Sequence, residues 1–175
     1  MFFDLVERRR SIRRFKSDPV ERMKIDRLIE TALRSPSSRG FNPWRFVVVD
    51  DPAMLAQLSC AKPHGAAFLR EAPLGIVVLG DAETSDVWVE DCSIAAILIQ
   101  LGAQALGLGS CWIQIRRREH DKTTSSDEYV RELLSIPENL KVASILAIGY
   151  PAEEKPPHPA ASLELEKVHL NHYEE

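Results

Sequence analysis

Apolar and polar positions alternate in blocks along this chain, and the blocks predict helices and strands in turn. Ile25, Leu28, Ile29, Ala32 and Leu33 recur at helical spacing and define a core-facing stripe. Asp18, followed by Pro19 and by Glu21, reads as its capped start. The turn-forming residues from Ser35 to Pro43 end that helix, and Arg45 to Val49 has the β-branched character of a short strand. Asp51 and Pro52 repeat the cap-and-proline signal for a short helix reaching about Cys60.

Leu74 to Leu79 is an apolar run of strand length, and Asp86 to Leu106 is a long helix, apolar on most sides in its second half. Gly107 and Gly109 close it, and Ser110 to Ile115 follows as a buried strand. A helix over Ser126 to Ser135 and a strand over Val142 to Gly149 complete the alternation, which predicts helices packed on a central sheet. Beyond it, Pro151, Pro156, Pro157 and Pro159 crowd into a few residues. Residues 1–150 therefore read as one domain and 151–175 as an extended arm of it, which Leu163, Leu165, Val168 and Leu170 equip to dock on something.

A length of 175 residues suits a single domain, and a net charge of -4 provides no general field for nucleic acid or an anionic membrane. The uncharged stretch 93–113 has the length of a membrane span, but Gln100, Gln104 and its glycines interrupt it. MFFDLVERRR lacks the order of a secretory signal, and the odd set Cys60, Cys92 and Cys111 has no redox or zinc spacing, so a reducing, cytoplasmic setting is expected. No G-x-S-x-G elbow, P-loop or complete G-x-G-x-x-G is present, and His169 with His172 falls short of a metal ligand set.

The remaining chemistry lies in RRRSIRRF, residues 8–15. Arg9, Arg10 and Arg13 cannot share one helical face, but a chain leaving its helix near Ser11 can turn several of them toward one point. Two guanidinium forks and a serine hydroxyl suit a phosphate monoester. A solvated basic face paired with Asp4, Glu7 or Asp18 is the other reading.

Five blocks in this order, RRSIRRF (9–15), SPSSRGFNPWRFVVV (35–49), EAPLGIVVLGD (71–81), DCSIAAILIQLGAQALGLGSCWIQI (91–115) and IPENLKVASILAIGYPAEEKP (136–156), resemble the FMN-dependent nitroreductase family. The ending EKVHLNHY resembles its short, single-domain members. The resemblance implies an α+β, nitroreductase-like fold with a mixed central β-sheet flanked by helices, assembled as a homodimer with FMN at the interface. It places Arg9, Arg10 and Ser11 at the FMN phosphate and ribityl chain, and Arg13 at the pyrimidine end of the ring. Pro36, Ser37, Ser38 and Asn42 would come from across the interface. Gln114 and Ile115 align with the loop whose backbone faces flavin N5; Arg116 to Arg118, directly after it, read either as contacts to a phosphate of FMN or of the reductant or as a solvated turn balanced by Glu119 and Asp121.

The implied activity is FMN-dependent NAD(P)H oxidoreduction: NADH or NADPH delivers a hydride through flavin N5 to an aromatic, nitro or quinone-like acceptor in a ping-pong cycle. No catalytic side chain is required, because the cofactor carries the reactive atoms. Reductive dehalogenation, flavin remodelling and non-enzymatic nucleotide binding stand as alternatives. The family pattern P-S-S-x-N-x-Q-P-W reads PSSRGFNPW here, so Gly40 and Asn42 alter two ring contacts. Lys155 and His158 are the nearest basic residues to a phosphate after the last strand. Phe41 is the candidate facing substrate, whereas Trp44, Trp88, Trp112 and Cys111 are expected to pack. Little sequence is left for a helical excursion over the pocket, which implies a more open site.

Overall fold

The computed structural model describes residues 2–173. Among them are five α-helices, α1 Phe2–Arg8, α2 Arg22–Leu33, α3 Pro52–Leu58, α4 Trp88–Ala105 and α5 Ser126–Leu133, and four strands, β1 Trp44–Val49, β2 Leu74–Asp81, β3 Gly109–Gln114 and β4 Leu140–Gly149. The sheet order is β1-β2-β4-β3, and every neighbouring pair is antiparallel. Its parallel component is a single bridge between Ser11 and Ser110 on the outer side of β3.

Both faces of this sheet are covered, which explains why β2 and β4 are apolar almost without interruption. Leu74, Ile76 and Val78 face α2 and α4, where Ile25, Leu28, Ala32, Ala95, Ile99 and Ala103 pack. Val77 and Leu79 face the opposite layer, with Leu55 and Leu58 of α3 and Val130 of α5. One extra residue in β4, Ala143, bulges between the pairs Val78↔Ser144 and Leu79↔Val142. Because side chains alternate with period two, this insertion exchanges the faces of β4: Val142 and Ile145 lie on one side, Ala143 and Leu146 on the other.

Several local signals act as the sequence suggests. The Asp51 carboxylate accepts from Met54 N at 2.9 Å with Pro52 at the first helical position, and Ser125 with Glu128 closes a capping box on α5. After α4, Leu108 N reaches Ala103 O at 2.8 Å and Gly107 N reaches Gln104 O at 3.2 Å, a Schellman ending that needs the positive φ of 74° at Gly107.

The start of α2 differs from expectation. The helix begins at Arg22 with Glu21 at its cap, and Asp18 and Pro19 lie in an extended approach. Tertiary contacts override the local signal: Tyr150 Oη donates to the Glu21 carboxylate at 2.7 Å, Lys24 Nζ donates to Tyr150 Oη at 2.5 Å, and Val20 is buried. Leu33, expected in the core, is 56% exposed at the end of the helix. Trp44 is buried as expected, and Trp88 and Trp112 are half-buried.

Candidate functional site

Helix α1 stops at Arg8, earlier than the sequence suggests, and the chain then runs extended past the sheet. Ile12 N donates to Ser110 O at 3.0 Å, and Lys16 N donates to Tyr150 O at 2.8 Å. Between these points Phe15 bridges Pro151, and Ala152 N donates to Arg14 O at 2.9 Å. The basic segment is thus strapped at one end to the start of β3 and at the other to the residues after β4. Ile12 and Phe15 anchor it in the core. Gly109 is required for its seat, since a Cβ there would lie 2.9 Å from Ile12 Cβ, Cγ1 and Cγ2.

This course separates the arginines. Arg10 turns toward the arm, donates to Pro156 O, and lines a cleft of about 600 Å³ with Arg8, Gln104 and Gly107. Arg9, Ser11 and Arg13 share a different environment, marked by the Cys111 thiol of β3. Burial pushes this thiol up, and Arg13, the Ser11 side chain, Lys155 and Arg9 each act in the opposite sense. Arg13 also lies over the Phe68 ring at 5.9 Å, beside a second cleft of about 500 Å³ that Arg70, Glu153 and Lys155 line. Among the described residues no ion pair within 4.0 Å joins Arg9 or Arg13 to Glu7 or Asp18. The Arg9 and Arg13 guanidinium groups, the Ser11 hydroxyl and the Lys155 ammonium, all felt by the Cys111 thiol, form a donor set suited to a phosphate monoester.

The other block of expected site residues lies elsewhere. Ser37 Oγ accepts from Asn42 N at 2.8 Å and donates to Asn42 Oδ1 at 2.8 Å, while Arg39, Gly40 and Asn42 adopt positive φ of 53°, 68° and 49°. Ser38 N donates to the buried Asp91 carboxylate at 2.8 Å, which ties this loop to the first turn of α4. Pro36 is exposed, and Phe41 is 44% exposed with Arg39 over its ring. The strand register sets the distance to the arginines. Trp44, just past the loop, pairs with Gly80 and through it with Lys141 at the start of β4, whereas Ser110 beside Ser11 pairs with Ile148 near its end. Within one chain the two blocks stand at opposite ends of the sheet.

At the end of β3, Gln114 Oε1 accepts from Trp112 Nε1 at 2.9 Å and Gln114 Nε2 donates to Arg116 O at 2.8 Å. Ile115 is fully buried by its side chain. The carbonyl of the bulged Ala143 accepts from both Ile115 N, at 3.4 Å, and Arg116 N, at 3.2 Å. The bulge therefore bends the strand end and sends Arg116 over the Trp88 ring at 5.8 Å. His158 lines a third cleft with Arg9, Phe3 and Leu163.

Three residues tied to these segments escape the sequence reading: Phe68 under Arg13, Asp91 on Ser38 N and Glu153 beside Lys155. Nothing in their local spacing marks them. Lys155, by contrast, was visible as the first basic residue after the last strand.

Comparison with known proteins places this geometry. Residues 6–150 match the family described as Nitroreductase family. A protein of Archaeoglobus fulgidus with the provisional name NADH dehydrogenase/NAD(P)H nitroreductase is 38% identical over 155 residues, covering 86% of each chain. The solved structure of an FMN-dependent nitroreductase from Clostridium difficile is 46% identical, with a TM-score of 0.96 over 98% of this chain and 99% of that one. A structure from Bacteroides thetaiotaomicron, provisionally named NADH dehydrogenase/NAD(P)H nitroreductase, is 34% identical with a TM-score of 0.90 and covers 98% of both chains. With its antiparallel sheet between two helical layers and its strapped arginine segment, the chain has the nitroreductase fold and belongs to the nitroreductase family.

Proposed function

We propose that this protein is an FMN-dependent NAD(P)H oxidoreductase that passes electrons to an aromatic, nitro or quinone-like acceptor in a ping-pong cycle. The observation that carries this reading is that Arg9, Ser11, Arg13 and Lys155 all act on the Cys111 thiol of β3, with Lys155 Nζ 2.7 Å from Ser11 O and, among the described residues, no ion pair to either arginine. This donor set fits the phosphate and polar chain of FMN, and the Phe68 ring beside Arg13 offers an apolar surface at the same place. When bound, FMN supplies the ring nitrogen N5 that receives and hands on a hydride. The residues of this chain do the holding and tuning. Arg9 and Ser11 bind the phosphate end, and Arg13 stabilises negative charge at the pyrimidine end, which raises the potential of the bound cofactor. Arg10, turned to Pro156, braces the arm in place of binding the ligand.

The assembly we propose is a homodimer. Pro36, Ser37, Ser38 and Asn42 lie far from the arginines of their own chain, and a second copy would supply them. Exposed apolar side chains support this: Phe2, Phe3 and Val6 on α1, Ile94 and Ile97 on α4, and Leu165, Val168 and Leu170 in the arm form more uncovered apolar surface than a lone chain needs. The arm of the domain 1–150, residues 151–175, stays tied to its own chain at its root and would dock its apolar stretch from Leu163 to Leu170 on the partner. No described helix is long and apolar enough to cross a membrane; a cytoplasmic location is part of the proposal.

The test is a visible absorption spectrum of the purified protein, followed by anaerobic addition of NADH and then NADPH and by sedimentation. A yellow dimer that bleaches with either nucleotide and recovers with a quinone or nitroaromatic is expected. Colourless protein that takes up no added FMN would overturn the reading.

A further inference from the structure

The root of the arm makes contacts with the basic segment that packing alone does not require. Glu153 Oε1 accepts from Arg13 N at 2.6 Å and from Arg14 N at 3.2 Å, and it pairs with Lys155 Nζ at 3.2 Å. Lys155 Nζ in turn donates to Ser11 O at 2.7 Å. In an extended strand successive amides point to opposite sides. Two successive amides on one oxygen therefore mark a kink at residues 13 and 14. The kink falls between the two straps of the segment, the Ser11 bridge to Ser110 and the Phe15 bridge to Pro151. At this point the Arg13 side chain leaves the main chain toward Phe68 and Cys111. The carboxylate takes the backbone amides and Lys155, and makes no ion pair with the Arg13 guanidinium, which lies over the Phe68 ring.

We infer that Glu153 is a positioning residue of the flavin site: its carboxylate fixes the kink that aims Arg13 and holds Lys155 against Ser11. The inference rests on the flavin reading above. It requires Glu153 to act against its own charge. A carboxylate beside an anion site repels the anion, so a role limited to charge predicts that neutralising Glu153 tightens FMN binding. A role in positioning predicts that shortening the side chain weakens it even though the charge is kept. The Arg13 amide bond, the largest influence on Glu153, holds its carboxyl below the ordinary value of 4.5, so the group is ionised at neutral pH. The groups facing it are Lys155 and the main chain of Arg13 and Arg14, and it shares one cleft with Arg8, Arg10 and Glu154 and another with Arg70 and Glu71.

Two variants of the full-length protein separate these roles: Glu153→Asp keeps the charge and loses the reach, whereas Glu153→Gln keeps the reach and loses the charge. FMN affinity by fluorescence titration, the midpoint potential of bound FMN and thermal stability are measured for each, with Glu154→Gln as control. In Glu153→Asp the FMN Kd should rise about tenfold, roughly one charge-assisted hydrogen bond, and the potential should fall. Glu153→Gln should change both by less, and Glu154→Gln should leave both at the parent values. If Glu153→Asp binds FMN as the parent does, or Glu153→Gln binds more tightly than the parent, the inference is overturned. Lower stability in both variants with unchanged affinity and potential would reduce Glu153 to a structural clasp and overturn it equally. Parent protein that binds no FMN would instead remove the flavin reading, an outcome distinguished by the first titration.

Discussion

Replacing Gly109 by alanine probes the seat of the basic segment directly. The added Cβ would stand 2.9 Å from Ile12 Cβ, Cγ1 and Cγ2. Ordinary carbon contacts lie at about 3.5–4.0 Å, so roughly 0.6 Å or more must be found. A rotamer change cannot provide it, because one of the three atoms is Ile12 Cβ itself, which moves only with the backbone. The amide of that residue is bonded to Ser110 O at 3.0 Å, and its side chain is buried. The main chain around Ser11 and Arg13 must therefore shift, at a cost of about 1–3 kcal/mol by analogy with other overpacked sites. For a chain of this length each kcal/mol lowers Tm by roughly 2–4 °C. If the segment holds FMN, losing one well-aimed charge-assisted contact should also raise the Kd about tenfold. Gly107→Ala is the matched control. Its φ of 74° strains an alanine by about 1–2 kcal/mol, but nothing lies within 4 Å of the new methyl. Both variants are followed by urea unfolding and by quenching of FMN fluorescence. Stability should fall in both and affinity only in Gly109→Ala. An unchanged FMN Kd in Gly109→Ala, or an equal loss in both, would refute the claim that this contact seats the cofactor site.

Other outcomes follow from the same geometry. Arg13→Ala should lower FMN retention by about ten- to a hundredfold and shift the flavin to lower potential, while Arg14→Ala should change little; spectroelectrochemistry of the two decides. Deleting residues 160–175 keeps Glu153 and Lys155 but removes Leu163, Leu165, Val168 and Leu170, and should weaken the dimer in sedimentation velocity; a deletion mutant that stays dimeric at low concentration would count against docking of the arm on the partner. Thiol labelling at pH 8 should modify exposed Cys60 quickly, whereas Cys92, buried and pushed up to about 12, should react only on unfolding, as should Cys111. Rapid reaction of Cys92 in the folded protein would mean that α4 does not seal it against β2.

Much of the architecture was local enough to read in the sequence. The stripe of Ile25, Leu28 and Ala32, the Asp51-Pro52 cap, the Gly107 ending and the apolar runs of β2 and β4 depend on residues a few positions apart, and periodicity and turn chemistry determine them. The basic, donor-rich character of Arg9, Ser11 and Arg13 was equally visible, because it follows from side-chain type. What local pattern could not decide is anything set by partners distant in the chain. The start of α2 moved from Pro19 to Arg22 because Tyr150 claims Glu21. Arg10 turns toward Pro156 because the arm presents its carbonyl there. Glu153 reaches the amides of Arg13 and Arg14 only once β4 and β3 have brought residue 150 beside residue 16. The extra residue at Ala143 shows the limit most clearly. No composition rule marks it, yet it exchanges the two faces of β4 and turns a carbonyl onto the amides of Ile115 and Arg116. Strand register is a property of paired chains, so its consequences for the site appear only when the chains are paired.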